Sequence, residues 1–451
     1  MSTPSAAAIP LDDRRTVRAW AMFDWANSAY ALVITTAIFP AYYASLSAEP
    51  VRLLGGTWLL ASLFSYALSA AYLVLAIASP LLSGIADASG KKLSFLRAFT
   101  FTGSLACVGM WWFDGVGRLG LGTALFVVAT IGYAGALVFY NAFLPQIATE
   151  DRYDATSAMG FSYGYVGSVL LLLASLGFIL NPGWIGLPPD ATGTATRVAF
   201  VLVGLWWLGF AQIPFRRLPA DSRAPMPPGW LRRGYREIAA TWAQARAQPL
   251  LIRFLAAFFA YSAGVQTVLF LASTFASTEL GFGTTELIVV VLILQVLAIG
   301  GALLFARVSR TVGNVNALLT MLVIWSAICV LAYFVTAKPT FYAVAALVGL
   351  VMGGIQSLSR STYSKLIPAG TPDTTSYFSF YDLLEKVAIV VGTFSFGLIN
   401  QVTGGMRLSM LSLTVFFAVG MALLWNVRVR ERRAGVRTGK APRPQPQATA
   451  P

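Results

Sequence analysis

The stretch RAWAMFDWANSAYALVITTAIFP (residues 18–40) is long and oily enough to cross a bilayer, yet Asp24 and Asn27 stand well inside it. A spanning helix needs about 20 mainly apolar residues. A charged side chain near its centre costs about 2.5–3.5 kcal/mol on insertion scales, so it usually faces a bundle interior or a wet cavity. Asp24, Asn27, Ser28, Ala31 and Thr35 follow the i, i+3, i+4 spacing of one helical face and form a polar stripe. Two readings of Asp24 stay open: it lines a path for solute or proton, or it anchors the helix near the interface. It lies about 9 Å in from Arg18, at 1.5 Å per residue, and in the second case it anchors the helix or pairs with a basic loop residue.

Runs of this kind recur along all 451 residues, of which 57% are hydrophobic and 11% charged. Soluble domains carry about 25% charged residues, so the composition indicates an all-α polytopic membrane protein. The runs are continuous, which argues against a β-barrel. The first is too long for a secretory leader, holds Asp24 and lacks a small-residue cleavage site. Twelve membrane helices are predicted. Helices 1–6 cover roughly 19–45, 57–83, 93–113, 120–142, 158–181 and 197–214, and helices 7–12 roughly 252–277, 285–306, 315–336, 340–363, 376–401 and 407–427. Of the 32 Lys and Arg, 26 fall on the side holding both termini, five on the other, and Lys386 lies within a helix. The positive-inside rule then puts both termini in the cytoplasm, most simply at a bacterial inner membrane. It also explains the net charge of +14 as a retention signal with some attraction to anionic lipid, not as a nucleic-acid surface.

The expected organisation is a cytoplasmic N-terminal segment (1–18), a six-helix bundle (19–214), a basic linker (215–251), a second six-helix bundle (252–427) and a disordered basic tail (428–451). Within the linker, Pro-rich RRLPADSRAPMPPGW precedes a segment that alternates basic residues with Trp230, Leu231, Tyr235, Ile238 and Trp242. That pattern suits a short helix lying on the membrane surface, and a purely connecting role fits equally. The halves echo each other. FSYGYVGS (161–168) in helix 5 and FSFYDLLEK (378–386) in helix 11 each follow a similar stretch. Repeated halves with a site between them are a common build for secondary transporters.

In helix 11, Asp382, Glu385 and Lys386 sit on one face, with Asp382 and Lys386 four apart and the acid N-terminal. One of the two acids is left unmatched, and the sequence does not say which. A self-contained ion network and a proton-carrying acid are both open. Tyr261, Ser262 and Gln266 in helix 7, Gln295 in helix 8, and Gln356 to Arg360 in helix 10 are further polar groups at depth, able to clothe a small solute or simply to bond neighbouring helices. Cys107 and Cys329 read as buried small hydrophobes. With no histidine, proton chemistry must use carboxylates. No Walker loop, dinucleotide fingerprint, metal-ligand cluster or nucleophile–histidine pair is present, so neither an enzyme, a cofactor nor a metal is expected, and transport would draw on a gradient or run downhill.

SGIADASGKK (83–92) resembles the cytoplasmic loop motif of the major facilitator superfamily, with Asp87, Gly90, Lys91 and Lys92 at its acid, glycine and basic pair. Ser83 and Ala88 stand where a glycine and an arginine are usual. The resemblance implies that Asp87 engages the N-terminus of helix 11 and favours an outward-open form, a sound acid–dipole contact. FDWANSAYALVITTAIFP (23–40) closely resembles the helix 1 motif of the "unknown major facilitator" family, also called the vacuole effluxer or autophagy-related family. FAYSAGVQTVLFLAS (259–273), GGIQSLSRSTYSKLIP (353–368) and FSFYDLLEKVA (378–388) support it, over roughly residues 18–427. It implies a major facilitator fold of two pseudo-symmetric six-helix bundles and efflux of a small amphipathic solute such as an amino acid. It also marks Asp24, Asn27 and Lys386 as family positions. Before the helix 7 glycine the family often carries an acid, where this chain has Ala263.

The expected function is therefore secondary transport by alternating access, with a proton as one coupling ion to consider. The site candidates are Asp24, Asn27, Ser28, Tyr261, Gln266, Gln356, Arg360, Asp382, Glu385 and Lys386, with Asp87, Gly90, Lys91 and Lys92 as a cytoplasmic gate. Asp24 and one of Asp382 or Glu385 would bind a proton or a cationic group. Arg360 and Lys386 would meet a carboxylate or balance those acids. A hydrophobic-drug exporter and a non-transporting receptor or scaffold are the alternatives. The partners expected are a small-molecule substrate and membrane lipid, around a monomer.

Overall fold

The computed structural model describes residues 10–433 apart from 48, 50, 54–55, 59, 223–228, 369, 372 and 404–405. Residues 1–9 of the N-terminal segment, the Pro-rich 223–228 and the tail beyond Arg433 lie outside the described residues.

Helix 1 is one rod in three parts: α-helix Arg14–Ala29, π-helix Tyr30–Ile38 and α-helix Phe39–Ser45. Helices 2–6 are Leu60–Ser89, Lys92–Gly109, Leu119–Asn141, Tyr153–Leu180 and Thr192–Arg217. The linker forms a helix, Trp230–Arg246. Helices 7–11 are Pro249–Leu280, Thr284–Val312, Asn314–Phe334, Lys338–Leu366 and Thr374–Thr403. Helix 12 breaks at Leu413 into Met406–Ser412 and Thr414–Arg433. A short antiparallel hairpin, Val51–Leu53 with Gly56–Trp58, lies between helices 1 and 2, so helix 2 begins at Leu60 and not at about residue 57.

Among the described residues, ten helices are long and apolar enough to cross a membrane. Helices 1 and 11 stand outside that ten, and both carry the charged groups that single them out in the sequence. The rods also run longer than predicted: helix 1 starts at Arg14, helix 2 ends at Ser89 and helix 5 starts at Tyr153. Hydropathy reports the oily centre of a rod, whereas the polar ends that leave the bilayer keep their intrahelical bonds.

The packing repeats with a shift of six helices. Helix 1 packs on helices 5 and 6, helix 2 on 4, and helix 3 on 4 and 6. Correspondingly helix 7 packs on 11 and 12, helix 8 on 10, and helix 9 on 10 and 12. Across the halves, helix 5 meets helix 8 and helix 2 meets helix 11, again a related pair. Lipid tails are as apolar as Leu, so small residues and close backbone approach hold such helices together. Gly160 and Gly164 seat helix 5 on helix 1: a Cβ at either would fall 2.6 Å from Asp24 Oδ2 or 2.5 Å from Ser28 Oγ.

The linker helix does not simply lie flat on a membrane surface. It packs on helix 2 and reaches helices 7 and 11. Gly84 and Gly234 allow that approach, since a Cβ on Gly84 would sit 2.3 Å from the Gly234 carbonyl oxygen. Thr241 and Ala245 are fully buried, and Trp242 meets Phe380 of helix 11 at 5.1 Å between ring centroids. Tyr235 points away and stays exposed.

Candidate functional site

Asp24 lies about 15 Å along helix 1 from Arg14, at 1.5 Å per residue, and is only 3% exposed. It faces neither an open cleft nor a loop cation. Arg360 of helix 10, itself 3% exposed, comes from the opposite half and takes the place that water would fill. Arg360 Nη1 donates to Asp24 Oδ2 (3.3 Å) and Asn141 Oδ1 (3.1 Å). Its Nη2 donates to the Ser157 carbonyl (2.8 Å) and its Nε to Ser157 Oγ (2.9 Å). Tyr140 Oη donates to Asp24 Oδ2 (2.7 Å), and Trp20 Nε1 holds the Tyr140 carbonyl (3.1 Å). Three ring faces surround the guanidinium: Phe161 at 4.2 Å, Trp20 at 4.8 Å and Tyr140 at 5.6 Å.

Two further ties cross the halves beside this pair. Ser157 Oγ donates to the Ser357 carbonyl (2.8 Å), and Tyr165 Oη donates to Gln356 Oε1 (2.6 Å). Tyr261 shares a hydrogen bond with Ser359 within the second half (2.7 Å).

Helix 11 resolves its own ambiguity. Lys386 pairs with Asp382, while Gln266 Nε2 of helix 7 donates to Glu385 Oε1 (2.8 Å). Lys386 also faces the Tyr72 ring of helix 2 at 5.8 Å. Tyr72, Tyr133, Gln266, Gln356 and Glu385 are all half-buried, and Gln356 and Tyr133 lie one and two turns farther along helices 10 and 4 than Arg360 and Tyr140, a polar band beyond the Asp24–Arg360 pair. Asn27, fully buried, has no protein partner for either amide atom, and Asp382 Oδ2 has none either. Ser28 sits against Gly164, one turn along helix 1 from Asp24. The helix 1 rod widens next to it: the Phe39 N–H reaches back five residues to the Ile34 carbonyl. Such π segments often mark functional sites.

On the linker side, Asp87 accepts hydrogen bonds from the backbone N–H of Thr375 (3.3 Å) and Ser376 (2.6 Å) at the start of helix 11. Lys92 lies 4.0 Å from Asp87 and donates to Thr374 Oγ1 (2.5 Å). Gly90 adopts φ +63°, the left-handed turn that favours glycine, and the Lys91 N–H closes helix 2 on the Ala86 carbonyl (3.0 Å). Asp221 of the linker caps helix 3 at Leu93 and Ser94. The loop after helix 8 has no acid of its own, and Asp154 of helix 5 supplies one. It accepts from Ser309 Oγ (2.8 Å) and Asn314 Nδ2 (2.7 Å) and pairs with Lys365 at 2.8 Å. Asp154, Lys365, Tyr140, Asn141 and Ser157 were not singled out as site groups in the sequence. Only their place near helix ends on one side could have suggested them.

The chain matches the family model described as "Vacuole effluxer Atg22 like" over residues 12–436. It belongs to the Atg22-like family. An uncharacterized major-facilitator-type transporter of Bacillus subtilis is 31% identical over 90% of this chain and 93% of its own. Autophagy-related protein 22 of Kluyveromyces lactis is 24% identical, over 83% and 81%. Among solved structures, the fucose transporter FucP in the outward conformation aligns with TM-score 0.70 at 13% identity, covering 92% of this chain and 99% of that one. The proton:xylose symporter XylE gives 0.69 at 13%, covering 92% and 95%. The fold is thus that of the major facilitator superfamily, and this Atg22-like chain is an integral membrane transporter of that type rather than an enzyme.

Proposed function

We propose that this chain is a secondary transporter that exports a small amphipathic solute, such as an amino acid, by alternating access. The observation that carries the reading is the Asp24–Arg360 ion pair buried between the two halves. A buried pair gives little net stability, because desolvation offsets most of the attraction, yet removing one partner costs about 3–5 kcal/mol. Such a tie closes specifically without locking the halves together for good. With both termini cytoplasmic and all twelve rods spanning, the contacts of Asp87, Asp154 and Arg360 seal the cytoplasmic side, and this form faces outward. That orientation rests on the distribution of Lys and Arg. The half-buried band of Tyr72, Gln266, Gln356 and Glu385 is the mid-membrane surface for the solute. Asn27, unbonded here, and the acids Asp24 and Glu385 are the groups for cargo and a coupling proton.

The test is counterflow of a mixture of isotope-labelled amino acids in proteoliposomes. The wild-type chain accumulates label, and Asp24→Asn loses at least tenfold of that flux while its melting transition stays cooperative. No wild-type flux of any amino acid overturns the cargo class, and unchanged flux in Asp24→Asn removes Asp24 from the mechanism.

A further inference from the structure

Arg360 reaches out of its own half into a container built by the other. The carboxylate of Asp24, the amide oxygen of Asn141, the carbonyl and hydroxyl of Ser157 and the rings of Trp20, Tyr140 and Phe161 come from helices 1, 4 and 5. Cation–ring contacts occur about once per 70–80 residues; here three converge on one guanidinium. The container cannot simply collapse when the halves part. Gly160 already lets helices 1 and 5 meet at the carboxylate, and the Tyr140 ring is held within its own half, stacked between Trp20 (4.5 Å) and Phe23 (4.9 Å) of helix 1. Without Arg360, Asp24 would be a carboxylate in a low-dielectric cup with no cation, a state that demands a proton or a positive ligand. A proton does not fill a cup walled by three rings, and a sodium ion would have to give up strongly held water to meet them, whereas a weakly hydrated organic cation fits both the carboxylate and the rings.

We infer that helices 1, 4 and 5 form a binding site for the organic cationic head of the cargo, and that Arg360 is its built-in occupant in the closed form. Resting on the transport reading above, this assigns the cargo an ammonium or guanidinium group, which for an amino acid is the α-ammonium. Cargo entering from the linker side competes with Arg360 for the cup. When the halves close again, Arg360 displaces the cargo toward the polar band.

The experiment uses the full chain in detergent with Arg360→Ala, which empties the cup. Methylguanidinium and methylammonium chloride are titrated separately against thermal unfolding, with sodium chloride at equal ionic strength as reference. Saturable stabilisation of a few degrees is expected from at least one organic cation, because a ligand that binds only the folded state raises Tm. The two arms tell which head fits. The shift should vanish in Arg360→Ala/Asp24→Asn and shrink severalfold in Arg360→Ala/Phe161→Ala. No saturable shift, or one that survives loss of Asp24, overturns the assignment. Should Arg360→Ala not fold, Ser357→Cys in the otherwise wild-type chain serves instead. Either cation should speed thiol labelling of that buried seam at least threefold over sodium, and equal rates overturn the assignment. Binding without flux would sink the carrier reading alone, and flux without binding would sink this inference alone.

Discussion

The Arg360 guanidinium makes four hydrogen-bond contacts and three ring contacts, all of them to groups that the opposite six-helix half supplies. The tightest constraint on that geometry is a missing side chain. A Cβ at Gly160 would lie 2.6 Å from Asp24 Oδ2 and 3.0 Å from Arg360 Nη2. Gly160→Ala should therefore push the carboxylate and guanidinium apart, at the roughly 1–3 kcal/mol typical of overpacking. A lower Tm together with reduced flux is expected; unchanged values for both would mean that helix 1 shifts freely. Asp24 was legible in the sequence because a carboxylate in an oily run has no cheap explanation. Arg360 was legible as a deep cation, but its partner was not, since 336 residues separate the two. Tyr140, Asn141 and Ser157 were invisible for a different reason: neutral polar residues in membrane helices are common and satisfy themselves locally.

At the scale of elements, the linker helix carries the clearest titratable signal outside the membrane. Glu237 is pushed up to about 7, first by burial and then by the Asp373 carboxylate at the foot of helix 11. A raised acid favours the protonated, docked form. That contribution is complete below the ordinary value of 4.5 and is lost as pH rises through about 7. Hydrogen exchange in Trp230–Arg246 should accelerate beyond the chemical trend as pH rises from 4.5 to about 7 and level off above that, and Glu237→Gln should flatten that excess. An excess identical in Glu237→Gln would point to another group. Gly84→Ala tests the same docking through sterics and should speed exchange at every pH. The helical pattern of this segment was legible, including its oily face. What the face covers was not, because Gly84 and Gly234 lie 150 residues apart and glycine declares no partner. The π segment Tyr30–Ile38 was likewise hidden, since its residues differ little from those of an ordinary apolar α-helix.

Across the whole molecule, the sequence yields the two-bundle plan because hydrophobic runs and the one-sided basic charge are properties of composition along the chain. The closed seam is a property of tertiary contact and could not be read that way. Helix 2 against 11 and helix 5 against 8 are related by the same six-helix shift as the packing inside each half. The acids Asp87 and Asp154, one in each of those pairs, tie across on the linker side. A carrier needs this seam to open and close as a unit.

The most direct test is a distance measurement between spin labels at Asp151→Cys and Thr311→Cys, two exposed positions next to the Asp154–Ser309 contact, with the chain in lipid nanodiscs. One short distance is predicted for the otherwise wild-type chain. A second, longer population is predicted when Asp24→Asn removes the tie to Arg360. A single short distance in both would contradict an account in which that ion pair holds two moving halves closed.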